Sequence, residues 1–412
     1  MIRMKYIAIL GFGVVGCGVA EVIAMNEDRI AKRLGEDLKV KKILDIHEFP
    51  DSPFADLVTT NKEDVFEDPE ISIVVETIGG ARIAYEYTKM ALSAGKTVVT
   101  SNKELVSTHG VELMRIAHEN NCNYIFEASV GGGIPIIRPL HRCLAANKIE
   151  RIAGIVNGTT NYILTQMAEN GSEFEVALKE AQEKGYAENN PSADIDGIDA
   201  QRKIAILSTI AMDGAYVDPT KLFTVGITAI TTKDMEYARE MNASIKLLAV
   251  FENSDEGAFA YVAPHLVSKD HPLACANGVF NAIMVTGNAL GDAMFYGQGA
   301  GKMATASAVV GDVMDAAEHQ TRNAHVYEWY ESEKPVLAPI EEHRISVLLR
   351  LPDSVSDDAI AEAFPEISSQ PCVYEAEGEK AVILGKDGDL NEAKLAIGLE
   401  NFDEVFSVIR IF

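Results

Sequence analysis

No apolar run in this 412-residue chain approaches the ~20 residues that span a bilayer as a helix. The opening MIRMKYIAILGFG is basic and then apolar, like a secretion leader, but its apolar part is short and runs into glycines instead of a small-residue cleavage site. It reads as a first buried strand. Cysteine is sparse: Cys17, Cys122, Cys143, Cys275 and Cys372 are odd in number, widely spaced and never in a CxxC pair. That pattern fits the reduced thiols of a cytoplasmic protein far better than a disulfide framework. The 9 histidines show no HxH or HExxH spacing, so a zinc centre is not expected. Neither a GxSxG elbow nor a GxxxxGK phosphate loop occurs. Basic charge is also short: 36 Lys and Arg oppose 62 Asp and Glu, a formal net charge of −26. Such a balance argues against nucleic acid and anionic membranes as partners, because both demand a basic patch.

What is present suits a globular protein of two or three domains, with 47% apolar and 24% charged residues. Strand-like runs at 5–10, 38–44, 71–75, 97–99 and 124–126 alternate with helical stretches at 19–34, 84–94 and 111–120. That alternation predicts α/β architecture with a doubly wound parallel sheet. From about Pro135 the order changes. A strand at 151–156, helices at 162–169, 203–212 and 236–244, and strands at 246–251, 258–264 and 282–286 predict a second, α+β domain. A glycine-opened helix at 299–318 has the apolar spacing to pack back on the first domain. Beyond a proline-bearing linker at 332–339, the pattern is strand 343–351, helix 357–364, strands 373–375 and 381–384, helix 390–398 and strand 406–411. That βαββαβ order is the ferredoxin-like layout.

Gly11-x-Gly13-x-x-Gly16 follows the first strand and opens a helix. In that context the first glycine makes the turn, the second admits a pyrophosphate and the third packs helix on strand, while the helix N-terminus receives the phosphates. A tight turn without a ligand is the plainer alternative. Asp45 ends the second strand, where a carboxylate reaches the ribose hydroxyls of an adenosine; no Lys or Arg lies between it and Pro53, which leans towards NAD over NADP. It is equally readable as a solvated strand end. Lys103 follows Thr100-Ser-Asn at the carboxyl edge of the sheet, either as a functional ammonium or as a surface lysine at a turn. Glu127-Ala-Ser-Val130-Gly-Gly132-Gly-Ile134-Pro135 combines a carboxylate with a glycine run that can turn carbonyls inward. An oxygen-only set of that kind suits a hard cation, and the same run also reads as a hinge. The segment Gly185 to Lys203, GYAENNPSADIDGIDAQRK, gathers Glu188, Asp194, Asp196 and Asp199 before a buried helix. It reads as a cage for a cationic ligand with Lys203 as a titratable group one turn after Asp199, or as a solvated acidic loop at a helix start.

Together these stretches resemble the homoserine dehydrogenase family. Its long motif matches Ala181, Gly185, Tyr186, Ala187, Asn190, Pro191, Asp194, Gly197, Asp199 and Lys203. Thr100-Ser-Asn-Lys103, the Glu127 to Pro135 segment, Val156 to Leu164 (VNGTTNYIL) and Tyr296 to Asp312 resemble further family segments in the same order, over roughly residues 4–320. The resemblance implies a Rossmann-type NAD(P) domain over 1–134, joined by helix 299–318, and a substrate-binding and dimerisation domain over 135–298. It implies Lys203 as general acid/base with Lys103 assisting, and Glu188, Asp199 and Gly185 at the substrate. Gly11, Gly13, Val14, Val15, Gly16, Asp45, Thr77, Lys103 and Gly299 would contact the cofactor. Glu127 with the carbonyls of Val130, Gly132 and Ile134 would hold a sodium ion.

The implied reaction interconverts L-aspartate 4-semialdehyde and L-homoserine. A substrate ammonium accounts for the acids, and a developing alkoxide accounts for the lysine. The module over 341–412 resembles an ACT domain but lacks the Asp-x-x-Gly turn that opens such a domain's first helix, so a role in assembly as a homodimer or homotetramer is expected over threonine feedback. Two competitors remain at this level. A sugar or amino-acid dehydrogenase leaves Glu188, Asp199 and Lys203 unexplained as a set, and a non-catalytic amino-acid sensor has no use for two lysines at the site.

Overall fold

The computed structural model describes residues 4–319, 327–372, 374 and 376–412. The chain divides into two compact units, Met1–Lys148 with Ala205–Pro219 and Gly297–Val336, and Ile149–Ile204 with Thr220–Tyr296 and Leu337–Phe412. In the first unit, β1 (Met4–Leu10), β2 (Asp37–Leu44), β3 (Val58–Thr59), β4 (Ile71–Glu76), β5 (Thr97–Thr100) and β6 (Tyr124–Ile125) form a sheet in the order β3-β2-β1-β4-β5-β6. Every pair in it is parallel. This is the dinucleotide-binding strand order, with its switch point between β1 and β4. Ile7 to Leu10 and Ile73 to Val75 are fully buried, because a parallel sheet is covered on both faces and its central strands are continuous apolar runs.

Two helices differ from expectation. The stretch read as one helix over 19–34 is two, Val14–Met25 and Glu27–Leu34. The break is Asn26, whose amide and side-chain nitrogen both donate to Val22 O; an asparagine side chain competes with the helical ladder in this way. The helix expected at 111–120 already begins at Lys103. Asn102 caps it, its side-chain oxygen accepting the Leu105 amide at 3.1 Å. Helix Lys302–His319 lies close on Val14–Met25: a Cβ on Gly18 would come within 3.0 Å of Lys302 and 3.1 Å of Ala306.

The second unit holds β7 (Ile149–Ile155), β8 (Phe223–Thr224), β9 (Ala243–Ser254), β10 (Gly257–Ser268), β11 (Phe280–Gly287), β12 (Gly291–Gln298), β13 (Val347–Pro352), β14 (Ser369–Pro371), β15 (Glu379–Leu384) and β16 (Ser407–Ile411). They make one mixed sheet in the order β12-β11-β7-β9-β10-β16-β13-β15-β14, with β8 on β10. The four strands β16-β13-β15-β14 are antiparallel neighbours, the ferredoxin-like arrangement, and β16 runs parallel to β10 through His265–Arg410 and Leu266–Ile411. One core beneath the sheet gathers Ile155, Leu248, Val250, Ala263 and Met284, and another Leu349, Leu351, Ile360, Phe364 and Leu384.

Strand β12 was not expected, since its apolar stretch is only Ala293 to Tyr296 between Gly291 and Gly297, and most of its residues are exposed or half-buried. The strand expected at 373–375 is β14 at Ser369–Pro371 instead; Val373 and Glu375 lie outside the described residues. The helix expected at 236–244 runs Thr232–Glu240, started by a Thr231–Asp234 capping box, and Ala243 and Ser244 already belong to β9. No helix among the described residues is long and apolar enough to cross a membrane.

Candidate active site

The glycine turn after β1 divides its requirements unequally. Gly11 is left-handed at φ +85°, and a Cβ there would lie 3.0 Å from Thr77 O. A Cβ on Gly16 would lie 2.0 Å from Gly11 O. Both glycines are thus demanded by the chain's own packing. Gly13 is not: it is exposed, caps the helix at φ −70°, and nothing lies within 4 Å of a Cβ built on it. The bare surface beside Gly13 and the first amides of the helix is the feature a pyrophosphate requires. Thr77 Oγ1 ties the turn by donating to Gly11 O (2.8 Å) and Leu10 O (3.0 Å). The Asp45 carboxylate accepts the Phe12 amide at 2.6 Å and the His47 amide at 2.9 Å. Burial alone would raise its pKa, but these amide donors outweigh it and hold the group below the ordinary value. Asp45 is therefore a charged carboxylate built into the glycine turn.

Lys103 opens its helix in the same unit, and the turn before it is anchored by a buried carboxylate. Glu76, fully buried at the end of β4, accepts the Thr100 hydroxyl at 2.5 Å and the Ile78 amide at 2.6 Å. Thr100 Oγ1 accepts the Asn102 amide (2.9 Å), and Asn102 Nδ2 donates to Gly80 O (2.8 Å). Burial pushes the Glu76 carboxyl up to about 7 against those two donors. Its one sequence signal is a carboxylate closing the apolar run ISIVV.

Glu127, also buried, accepts three backbone amides, from Ile136 (2.6 Å) and Ile137 (2.9 Å) on Oε1 and from Arg138 (2.7 Å) on Oε2. Its own amide donates to Asp312, which pairs with the Arg138 guanidinium. Val130, Gly132 and Ile134 are buried, and among the described residues their carbonyls accept no backbone hydrogen bond. Buried carbonyls ordinarily find a donor, so these three together with Oε2 of Glu127 are a donor set fitting a hard cation. Gly299 belongs to this cluster: a Cβ on Gly132, itself at φ +54°, would meet Gly299 O at 2.3 Å.

The second unit assembles the acidic segment around a buried ion pair. Lys203 is 7% exposed and Asp199 4%. Lys203 Nζ donates to Asp199 Oδ2 at 2.6 Å and to Val156 O at 2.6 Å. Helix Ile198–Ala211 starts earlier than expected, which places both residues on it one turn apart. Gly197, at φ +84° and 3.0 Å from Thr224 by its would-be Cβ, is the turn that lets the helix begin there. Asn157 caps helix Gly158–Asn170 with its oxygen, while its Nδ2 donates to Asp199 Oδ2 (2.8 Å) and Asp194 Oδ1 (2.7 Å). Asp194 thus gains a placement it lacked in sequence. Asn157 and the Val156 carbonyl were missed as site groups; an Asn-Gly-Thr-Thr run directly after a strand is the signal of such a cap. Glu188 and Gly185 lie on the exposed loop above, and the Glu188 carboxylate makes no ion pair among the described residues. Asp196 is exposed.

Comparison with known proteins points one way. The family model for homoserine dehydrogenase matches residues 135–314, and that for the homoserine dehydrogenase NAD-binding domain matches 11–127. The homoserine dehydrogenase of Bacillus subtilis is 39% identical over 333 residues, 79% of this chain and 76% of the relative. That of Corynebacterium glutamicum is 43% identical over 321 residues, 76% and 72% of the two chains. The crystal structure of a homoserine dehydrogenase from Thiobacillus denitrificans superposes with a TM-score of 0.91 at 35% identity, covering 100% of this chain and 99% of that one. A hyperthermophilic archaeal homoserine dehydrogenase in complex with NADPH gives 0.65 at 31% identity, covering 76% and 98%. The chain belongs to the homoserine dehydrogenase family of NAD(P)-dependent oxidoreductases.

Proposed function

We propose that Lys203 is the general acid/base of this enzyme, giving a proton to the aldehyde oxygen of L-aspartate 4-semialdehyde and taking it back from the L-homoserine hydroxyl. The observation that carries the reading is the Lys203–Asp199 contact of 2.6 Å, buried and braced by Val156 O. A buried ammonium with a fixed counter-ion has a fixed position, which proton transfer to a developing alkoxide needs. Glu188 and Asp199 take the substrate ammonium, Gly185 lines the pocket, and Lys103 is the assisting base. The nicotinamide supplies the hydride when bound. The cofactor as a whole is contacted by Gly11, Gly13, Val14, Val15, Gly16, Thr77, Lys103 and Gly299, with Asp45 on its ribose.

Asp45, held charged in the turn, favours the ribose hydroxyls of NAD over a 2′-phosphate, although the archaeal relative binds NADPH. Glu127 and the carbonyls of Val130, Gly132 and Ile134 would hold a sodium ion, whose charge would brace the 127–138 turn. Residues 1–134 with helix 299–318 serve the cofactor, 135–298 the substrate and dimerisation, and 341–412 is an ACT-like module for assembly of a cytoplasmic homodimer or homotetramer. The test is consumption of NADH and NADPH with aspartate semialdehyde. Wild type turns over, and Lys203→Ala loses about 10²–10⁴-fold in kcat with little change in KM. Inactivity of wild type with both cofactors, or full rate in the variant, defeats the reading.

A further inference from the structure

A cavity of about 280 Å³ opens in the second unit where β7, β9 and β10 meet β16, the residues leading into β13 and the turn after β15; none of the residues around Lys203 lines it. Its wall carries Arg151, Arg344, Lys386 and Arg410 against one side-chain carboxylate, Glu252. In a chain of net charge −26 that local excess of cations runs against the average. Two of the four are compensated. Arg410 pairs with Glu392 through two contacts of 2.8 Å, and Arg344 lies 3.2 Å from Glu256. Lys386, exposed at the rim, bonds the neutral Gln370 side chain at 3.1 Å.

Arg151 decides the matter. Glu252 stands directly across the β7–β9 ladder from it, where opposite charges ordinarily pair. The Glu252 carboxylate instead meets His343 Nε2 at 3.0 Å. Arg151 is left over the Phe412 ring, 5.1 Å from its centroid, with no ion pair among the described residues. His343 lines the same cavity, and its buried Nδ1 has no hydrogen-bond partner among the described residues. A planar guanidinium that makes no ion pair among the described residues, on the wall of a cavity, matches a carboxylate in shape and charge. The volume lies below the ~300–1,000 Å³ of pockets for drug-sized molecules, so the ligand has few heavy atoms.

We propose that this cavity is an effector site for a small carboxylate anion, bound by Arg151 with Lys386 at its mouth. Strand β7, which carries Arg151, ends one residue before Val156, whose carbonyl holds Lys203 at 2.6 Å. An anion that ties down Arg151 therefore acts on the strand that braces the reactive lysine.

The test uses the full chain and sodium propionate, a carboxylate without the substrate's ammonium, titrated by calorimetry; sodium phosphate at equal ionic strength is the second arm. Saturable propionate binding is expected, weakened about tenfold or more by Arg151→Gln. At saturating homoserine, propionate changes the wild-type rate by about twofold or more, and Arg151→Gln loses that response while keeping its basal rate. Lys386→Gln, at an exposed position, weakens binding in the same direction and stands in should the first variant fail to fold. Absence of propionate binding, binding of phosphate alone, an affinity indifferent to both substitutions, or a rate that ignores saturating propionate overturns the proposal. Basal turnover is read before propionate is added, so failure of this site is separate from failure of the Lys203 assignment.

Discussion

Exchanging Lys203 for Met keeps an unbranched stem in the core and removes only the ammonium. The consequence for stability follows from burial. Lys203 and Asp199 are 7% and 4% exposed and their charged atoms lie 2.6 Å apart, so the variant leaves Asp199 as a buried carboxylate without its cation. Removing one partner of a buried pair costs about 3–5 kcal/mol. The Asn157 donor 2.8 Å from Asp199 Oδ2 remains and places the expectation at the low end, about 3 kcal/mol. The consequence for rate is separate: losing a positioned proton donor costs about 10²–10⁴-fold, which is about 2.7–5.4 kcal/mol of barrier at 1.36 kcal/mol per decade. The double variant Lys203→Met with Asp199→Asn distinguishes the two effects. With the Asp199 charge removed as well, it regains part of the lost stability and none of the lost rate. Denaturant unfolding supplies the stabilities, and consumption of reduced cofactor with aspartate semialdehyde supplies kcat and KM. A single variant that keeps more than about a tenth of the wild-type kcat refutes the catalytic reasoning. A double variant no more stable than the single one refutes the buried-pair reasoning.

Gly13→Ala meets no atom within 4 Å of its Cβ and sits at φ −70°, so its melting temperature should match wild type while KM for NADH rises about tenfold. Gly16→Ala, with its Cβ 2.0 Å from Gly11 O, should lose both; equal behaviour of the two variants would contradict the division of roles in the turn. Asp45→Asn removes the charge held low by the Phe12 and His47 amides, and should raise kcat/KM for NADPH relative to NADH by about tenfold; an unchanged ratio sinks the lean towards NAD. Glu76, raised by burial from 4.5 in the unfolded chain to about 7 in the folded one, makes the folded state hold the extra proton between those values. Stability therefore falls as pH rises from about 4.5 to about 7, by up to about 3 kcal/mol, and stays lower above. Glu76→Gln lacks that slope, so its advantage over wild type should grow with pH in denaturant melts; an advantage that shrinks with pH would show the sign to be wrong.

The parallel sheet was legible because a strand buried on both faces has to be an unbroken apolar run, and KYIAIL and ISIVV are such runs. The C-terminal βαββαβ order was legible for the related reason that its strands and helices differ in period. Strand β12 was not, because its apolar stretch of four residues is short and lies between glycines, and only its place beside β11 shows it to be a strand. The early start of the helix at Lys103 was not either: KELVSTHG has no apolar face to advertise it, and the Asn102 cap and the Glu76 anchor decide it. Among candidate site residues, Gly185, Asp199 and Lys203 could be singled out because they fall in one motif that resembles the family's, while their spacing alone left a solvated acidic loop open. Glu76, Asn157 and the Val156 carbonyl could not, since their significance lies in what they touch.

The sequence by itself determined the chemistry available: a glycine turn after a strand, a carboxylate at the next strand end, and acids preceding a lysine on one helix. Such features are written in residue type and short spacing, which folding does not alter. Only the tertiary structure decided how those groups are held. It turned Asp199 onto Lys203 and braced both with Val156 and Asn157, which are 43 and 42 residues before Asp199 in the chain. It also left Arg151 facing a cavity while its cross-strand partner Glu252 turned to His343. Contacts of that range are set by how strands and helices pack, and no local pattern of residues encodes them.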